Sequence, residues 1–159
     1  MKVKVKKLVE GAKLPEKTYG SDFCYDCYAT SVEEVAKDTY KYGIGLAFQI
    51  ERDIEKLDNY LSINFKDAKN VRLSLDFRPR SSVYKTGLSL CNCEGTIDEN
   101  YTAQVSAIFY HINKEMPIYK VGEKIGQVKL GLTFDIDWVE VDELNETDRG
   151  QGGFGSTGK

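Results

Sequence analysis

The sequence predicts an all-β domain, a sandwich or barrel of short strands, within a chain of 159 residues. Apolar and polar side chains alternate with period two through three separate runs, and turn residues punctuate the chain between them. Only two stretches carry helical spacing instead. Period two sends successive side chains to opposite faces, so each run reads as a strand with one face on a core and the other in water.

Taken in order, Lys2, Lys4, Lys6 and Lys7 interleave with Val3 and Val5, which predicts a first strand with lysines on its solvent face. Ser31-Val-Glu-Glu34 has capping-box form, and Val32, Val35, Ala36 and Tyr40 follow at helical spacing, which predicts a short helix. Ile44, Leu46, Phe48 and Ile50 alternate as a strand. Ile54, Leu57 and Leu61 share one helical face, which predicts a second short helix over 53–61. Val71, Leu73, Leu75 and Phe77 alternate with Arg72, Ser74, Asp76 and Arg78. Residues 101–112 and 118–121 are further strand candidates. Val128, Leu130, Leu132, Phe134, Ile136 and Trp138 make the longest run, after which Val139 and Val141 become the apolar positions. That phase slip predicts a bulge or a corner. Residues 142–148 are acidic and polar, so the chain divides into a barrel over 1–141 and a linker with a glycine-rich arm over 142–159.

Composition is that of an ordinary soluble globular domain: 41% hydrophobic, 30% charged, net charge −3. Nothing in that balance gives a footprint for duplex nucleic acid. No apolar run approaches membrane-spanning length and no signal-peptide pattern opens the chain, so a cytoplasmic protein is expected, with neither nucleic acid nor membrane as partner. The cysteines fall in two close pairs, Cys24/Cys27 and Cys91/Cys93. Four thiols at such spacing can hold zinc. The spacers Tyr25, Asp26 and Asn92 lack the glycines or prolines of a zinc knuckle, so buried reduced thiols are favoured.

Chemistry concentrates in three places. Arg80, Ser81 and Ser82 put a guanidinium and two hydroxyls at one strand exit, which suits a polyphosphate. From Cys91 to Tyr101, Gly95 marks a turn flanked by Asn92 and Tyr101, with Asp98 between Ile97 and Glu99. A hairpin there would offer backbone amides, an Asn side chain and an aromatic ring around one pocket, beside a carboxylate able to polarise water. The last eleven residues hold five glycines, and Phe154 is their only apolar side chain. Such a segment cannot fold alone, yet its glycines let backbone N–H groups approach phosphate, Arg149, Ser156 and Thr157 add polar contacts, and Phe154 offers a stacking face. Met singly, Asp98 is a turn carboxylate, Tyr101 is a core aromatic and the tail is a flexible terminus. His111, the single histidine, reads as structural.

Together and in this order, these segments resemble the five motifs of the trimeric dUTPase family. The first resembles Phe23-Cys-Tyr-Asp26-Cys-Tyr-Ala29, where the family has Ala-Gly-Tyr-Asp-Leu. The second is Pro79-Arg80-Ser81-Ser82, with Ser82 at a frequent Gly. The third is Asn92-x-x-Gly95-x-Ile97-Asp98-x-x-Tyr101, the fourth Glu123-Lys-Ile-Gly-Gln127, and the fifth runs from Arg149 to Gly158. The resemblance implies a jelly-roll-like distorted barrel assembled as a homotrimer, with each active site drawing on all three chains. It implies hydrolysis of dUTP to dUMP and pyrophosphate. Asp98 would activate the water that attacks the α-phosphorus, and Mg²⁺ would lie on the phosphates with Asp26 holding its waters. Asn92, Gly95 and Ile97 would form the uracil hairpin and Tyr101 would pack beneath the deoxyribose. Arg80, Ser81, Ser82, Gln127, Arg149, Gly155, Ser156 and Thr157 would surround the phosphates, and Phe154 would stack over the uracil. Two departures stand out. The family follows the tyrosine with Arg-Gly-Glu, whereas Thr102-Ala103-Gln104 stand here, and the chain is longer between Ala29 and Pro79. The extra length is expected at 53–70 and is the place where a protein partner would bind.

Three alternatives stay open. A dCTP deaminase of the same fold needs a glutamate in the strand after the hairpin, and residues 101–112 contain no acid. A regulatory binding protein on this barrel would use the longer 29–79 region. A zinc-stabilised structural domain would use the four cysteines.

Overall fold

The computed structural model describes residues 2–51, 71–92 and 94–148. Its strands are β1 (Lys2–Lys7), β2 (Tyr25–Tyr28), β3 (Ser31–Ala36), β4 (Thr39–Gly43), β5 (Leu46–Glu51), β6 (Val71–Arg78), β7 (Leu88–Leu90), β8 (Gly95–Ile97), β9 (Ser106–His111) and β10 (Lys124–Phe134). They form two four-stranded sheets, ordered β2-β10-β6-β8 and β3-β4-β9-β7, and a two-stranded sheet of β1 and β5. Every pairing between these strands is antiparallel. Among the described residues the one helical element is a 3-10 turn over Ser81–Lys85. No helix among them is long and apolar enough to cross a membrane.

The core lies where the sheets face one another. Cys27, Leu75, Phe77 and Val128 come from the first sheet, Tyr42, Leu88, Ala107 and Phe109 from the second, and Leu46 and Phe48 from the third. Tyr42, Phe109 and Tyr119 meet edge to face, with centroids 5.7 to 6.1 Å apart. The Tyr42 hydroxyl donates to the Tyr119 carbonyl at 3.2 Å, so the cluster buries a polar tip without losing its hydrogen bond. Burying a side chain the size of Phe109 contributes about 1.5–3 kcal/mol. His111 is buried, with Nε2 3.0 Å from the Met116 carbonyl and its ring against Tyr40, which is a structural placement.

Several expectations are corrected. Residues 31–40 form the β3–β4 hairpin, not a helix. Glu34, read as half of a capping box, instead accepts the Asp38 N–H at 2.9 Å and closes a turn in which Asp38 sits at φ 59°. Asp is among the few residues that tolerate that conformation, and the pairing of β4 with β9 overrides the local helical spacing. The long C-terminal run is a strand only to Phe134. Ile136, Trp138, Val139 and Val141 are exposed outside any ladder, so the phase slip marks no bulge. The irregularity in β10 falls at its start, between Lys124 and Gly126. Residues 101–105 and 118–121 are loop. The predicted helix over 53–61, the longer segment 53–70 and the arm from Arg149 onward lie outside the described residues.

The thiols also divide. Cys27 is buried, Cys24 is half-buried and Cys91 is exposed, so burial does not extend to all of them. Burial, with the adjacent Asp26 charge, pushes the Cys27 thiol up to about 12. Among the described residues no group of three or more His, Cys, Asp or Glu is placed to hold a metal.

Candidate active site

β6 and its two neighbours position the chemistry. On one side β10 aligns Gln127 with Arg78 of β6 and with Asp26 of β2, in one row across the sheet. Residues aligned across antiparallel strands share a face, so Asp26 and Gln127 come together although 101 positions separate them. β6 then runs through Pro79 into the 3-10 turn, which brings Arg80 and Ser81 to the same place. Gln127 Nε2 donates to the Pro79 carbonyl at 3.3 Å and fixes that exit. On the other side, β8 pairs Gly95 with Phe77 and Ile97 with Leu75, and so delivers Asp98 just beyond the sheet edge.

Two clefts result. The first, of about 400 Å³, is lined by Asn92, Gly95, Ile97, Asp98 and Tyr101, together with Lys41 and Gln104. The second, of about 420 Å³, is lined by Asp26, Arg80, Ser81 and Gln127, together with Thr18, Tyr19, Asp22, Phe23 and Cys24. They share no residue. Ser82 sits in the 3-10 turn beside the second cleft without lining it. Arg149, Phe154, Gly155, Ser156 and Thr157 lie outside the described residues.

In the second cleft the Asp26 carboxylate is nearly buried and divided between two cations. Arg80 Nε lies 3.0 Å from Oδ1, and Lys124 Nζ lies 2.8 Å from Oδ2. Thr18 Oγ1 donates to the same Oδ2 at 3.3 Å and accepts from Lys124 at 3.1 Å. Lys124 also lies over the Tyr28 ring, 5.6 Å from its centroid. The hydrogen bond and charge of Asp26 push the lysine above its ordinary value. Asp22 and Asp26 balance Arg80 and the adjoining Lys124 in charge, so the cleft offers phosphate a guanidinium, the Ser81 hydroxyl and the Gln127 amide rather than a net positive field. The donor set also suits Mg²⁺ in its usual nucleotide role, in which one or two carboxylates assist and substrate phosphates supply the other ligands. Of the two acids lining the cleft, Asp26 is the more deeply buried, and among the described residues no cage of protein ligands surrounds it.

A third groove, of about 750 Å³, adjoins the first and shares Thr96 and Asp98 with it. Its floor holds Asp76, whose two oxygens accept from Ser74 Oγ at 2.8 Å and Lys129 Nζ at 2.9 Å. Burial pushes that carboxyl up, but the bonds from Lys129 and Ser74 outweigh it and leave Asp76 below its ordinary value.

A sequence profile of the dUTPase family matches residues 76–158. The deoxyuridine 5'-triphosphate nucleotidohydrolase of Nautilia profundicola is 32% identical over 163 residues, covering all of both chains. The chain belongs to the dUTPase family. Solved dUTPases share its fold. A variant of Staphylococcus bacteriophage 80alpha dUTPase with dUpNHpp superposes with a TM-score of 0.72 at 21% identity, covering 99% of each chain. A variant dUTPase from phage phi11 of S. aureus, described with a structural Mg(II) ion, gives a TM-score of 0.66 at 17% identity, covering 92% of this chain and all of that one. The segment from Asn92 to Tyr101 lines the first cleft, and Asp26, Arg80, Ser81 and Gln127, from three other segments of the chain, line the second.

Sequence reasoning missed Lys124, Thr18, Lys41 and Gln104. Lys124 stands inside the fourth motif, and its lysine type was a usable signal. The others are single polar residues in loops or strands and carry none.

Proposed function

We propose that this protein hydrolyses dUTP to dUMP and pyrophosphate in sites shared between the subunits of a homotrimer. The single observation that carries this reading is the division of the family motifs between two clefts of complementary chemistry. One is fitted to a base and sugar beside a carboxylate, the other to phosphates. A homotrimer would bring the first cleft of one chain to the second cleft of its neighbour, with a third chain's arm over both.

In this reading the hairpin around Asn92, Gly95 and Ile97 reads the uracil edge. Its tightness rejects the thymine methyl, and mispaired donors reject cytosine. Tyr101 packs beneath the deoxyribose. Asp98 orients a water for in-line attack on the α-phosphorus and takes its proton. Arg80, Ser81 and Gln127 hold the phosphate oxygens where charge develops, with Ser82 shaping their turn. Arg149, Gly155, Ser156 and Thr157 complete that grip, and Phe154 stacks on the base as the arm closes and excludes water. Asp26 is the residue that would help to hold a Mg²⁺, which would supply neutralisation of phosphate charge.

The test is pyrophosphate release with Mg²⁺ from dUTP beside dCTP, dTTP and UTP. Release from dUTP alone supports the assignment, whereas a folded protein inert on dUTP sinks it. Asp98→Asn should lower turnover by at least about 100-fold while nucleotide binding persists, because an amide cannot take the proton. Near-normal turnover in that variant would remove Asp98 from its role.

A further inference from the structure

We propose that Gln104 is a positioning residue for sugar discrimination: it holds the Tyr101 ring in place by packing its amide over Gly43. The inference rests on the reading that Tyr101 packs beneath the deoxyribose.

Tyr101 is half exposed, so packing alone does not fix its ring. Its hydroxyl donates to the main-chain carbonyl of Gln104 at 2.9 Å, and its N–H donates to the Asp98 main-chain carbonyl at 3.0 Å. The second bond ties the residue to the proposed base and the first sets the direction of the ring. That direction is therefore only as well defined as the position of Gln104.

Gln104 is itself held from two sides. The next residue, Val105, is buried and exchanges backbone hydrogen bonds with the β4–β5 connection, donating to Leu46 at 2.9 Å and accepting from Ile44 at 3.1 Å. The Gln104 side chain lies over Gly43, where a Cβ would overlap its Nε2 and the Ser31 hydroxyl. Gly43 has no positive φ, so its backbone does not call for glycine. What the position needs is room. Its carbonyl is fixed as well, accepting from Thr30 N at 2.7 Å and Thr30 Oγ1 at 3.0 Å, so the surface under Gln104 is rigid. The path runs from Gly43 through the Gln104 amide and backbone to the Tyr101 hydroxyl. A residue that rejects a single 2′-hydroxyl acts through close contact, and a small displacement of its ring opens the space that hydroxyl requires.

The experiment compares kcat/KM for dUTP and UTP, with Mg²⁺, in the full-length protein and in Gln104→Ala, Gly43→Ala and Gln104→Glu. Gln104→Ala should lose about tenfold or more of the preference for dUTP over UTP. Gly43→Ala should lose a similar factor by displacing the amide, and Gln104→Glu, which keeps length and shape, should restore most of it. An unchanged preference in Gln104→Ala, or an equal loss on both nucleotides, overturns the proposal, because a merely structural role does not move the ratio. If Gln104→Ala fails to fold, Tyr101→Phe removes the hydroxyl and leaves the ring. An unchanged preference there would also overturn it. Absence of dUTP turnover in the unmodified protein would instead overturn the proposed function itself, so the two failures are distinguishable.

Discussion

Asp76 and Asp26 are both buried carboxylates in the β2-β10-β6-β8 sheet, and their partners separate their roles. Asp76 lies on the floor of the third groove, and each of its oxygens accepts from a neighbour in the sheet, Ser74 on β6 and Lys129 on β10. Its pKa is lowered in the folded protein, so the stability it contributes is complete above the ordinary carboxylate value and is lost as pH falls through the folded one. Melting followed downward from pH about 5 should show that loss. Asp76→Asn should be less stable at neutral pH and flatter across the acid window, and a variant as steep as the parent would assign the acid transition elsewhere. Asp26 lines the second cleft, and what sets it apart is that one of its two cations, Arg80, leads into the 3-10 turn. Sequence order alone revealed Asp98, Asn92, Tyr101 and Arg80 as candidates, because each sits in a short motif whose residue types make chemical sense together. Lys124 also stands inside a motif, but its meeting with Asp26 was not legible, since it spans 98 positions and depends on register between β2 and β10.

β1, β5 and β6 were readable because their sequences alternate, although burial is continuous over Leu46 to Phe48 and over Leu75 to Phe77. β3 was not. All its residues are exposed, so its apolar spacing reports no buried face and a helical reading had nothing to contradict it. β10 fails differently. Its first half buries Ile125, Gly126 and Val128, while Leu130, Leu132 and Phe134 continue the same alternation into solvent. The pattern is therefore continuous although the packing is not. Gly126 marks the tight half, since a Cβ there would land on the Phe77 ring. Gly126→Ala should cost about 1–3 kcal/mol in denaturant unfolding, with the loss relieved by trimming Phe77 to Leu. An alanine variant as stable as the parent would show that the ring yields freely.

At the scale of the whole molecule, the exposed apolar residues after Val128 depart from a self-contained domain. Trp138 is 87% exposed and Ile136 62%, followed by Val139 and Val141. A run of exposed apolar side chains of this kind is suited to association, which agrees with the proposed homotrimer. Trp138→Asp should leave the β-sheet circular dichroism unchanged, shift the eluted species toward monomer and reduce dUTP turnover. Retention of a full-sized, active oligomer would place the subunit contact elsewhere. What the sequence could not show was which alternating residues serve the core and which serve a neighbour, because both obey the same period.

The two clefts that share no residue also have a genetic reading. In the proposed trimer, a chain defective at Asp98 still presents an intact Arg80, and a chain defective at Arg80 still presents an intact Asp98. Neither makes a working site with copies of itself. Co-refolded in equal amounts, Asp98→Asn and Arg80→Ala chains should recover activity at about one site in four, where each supplies its sound half. Two inactive alleles would then complement within one cell, and their mixture would be more fit than either alone.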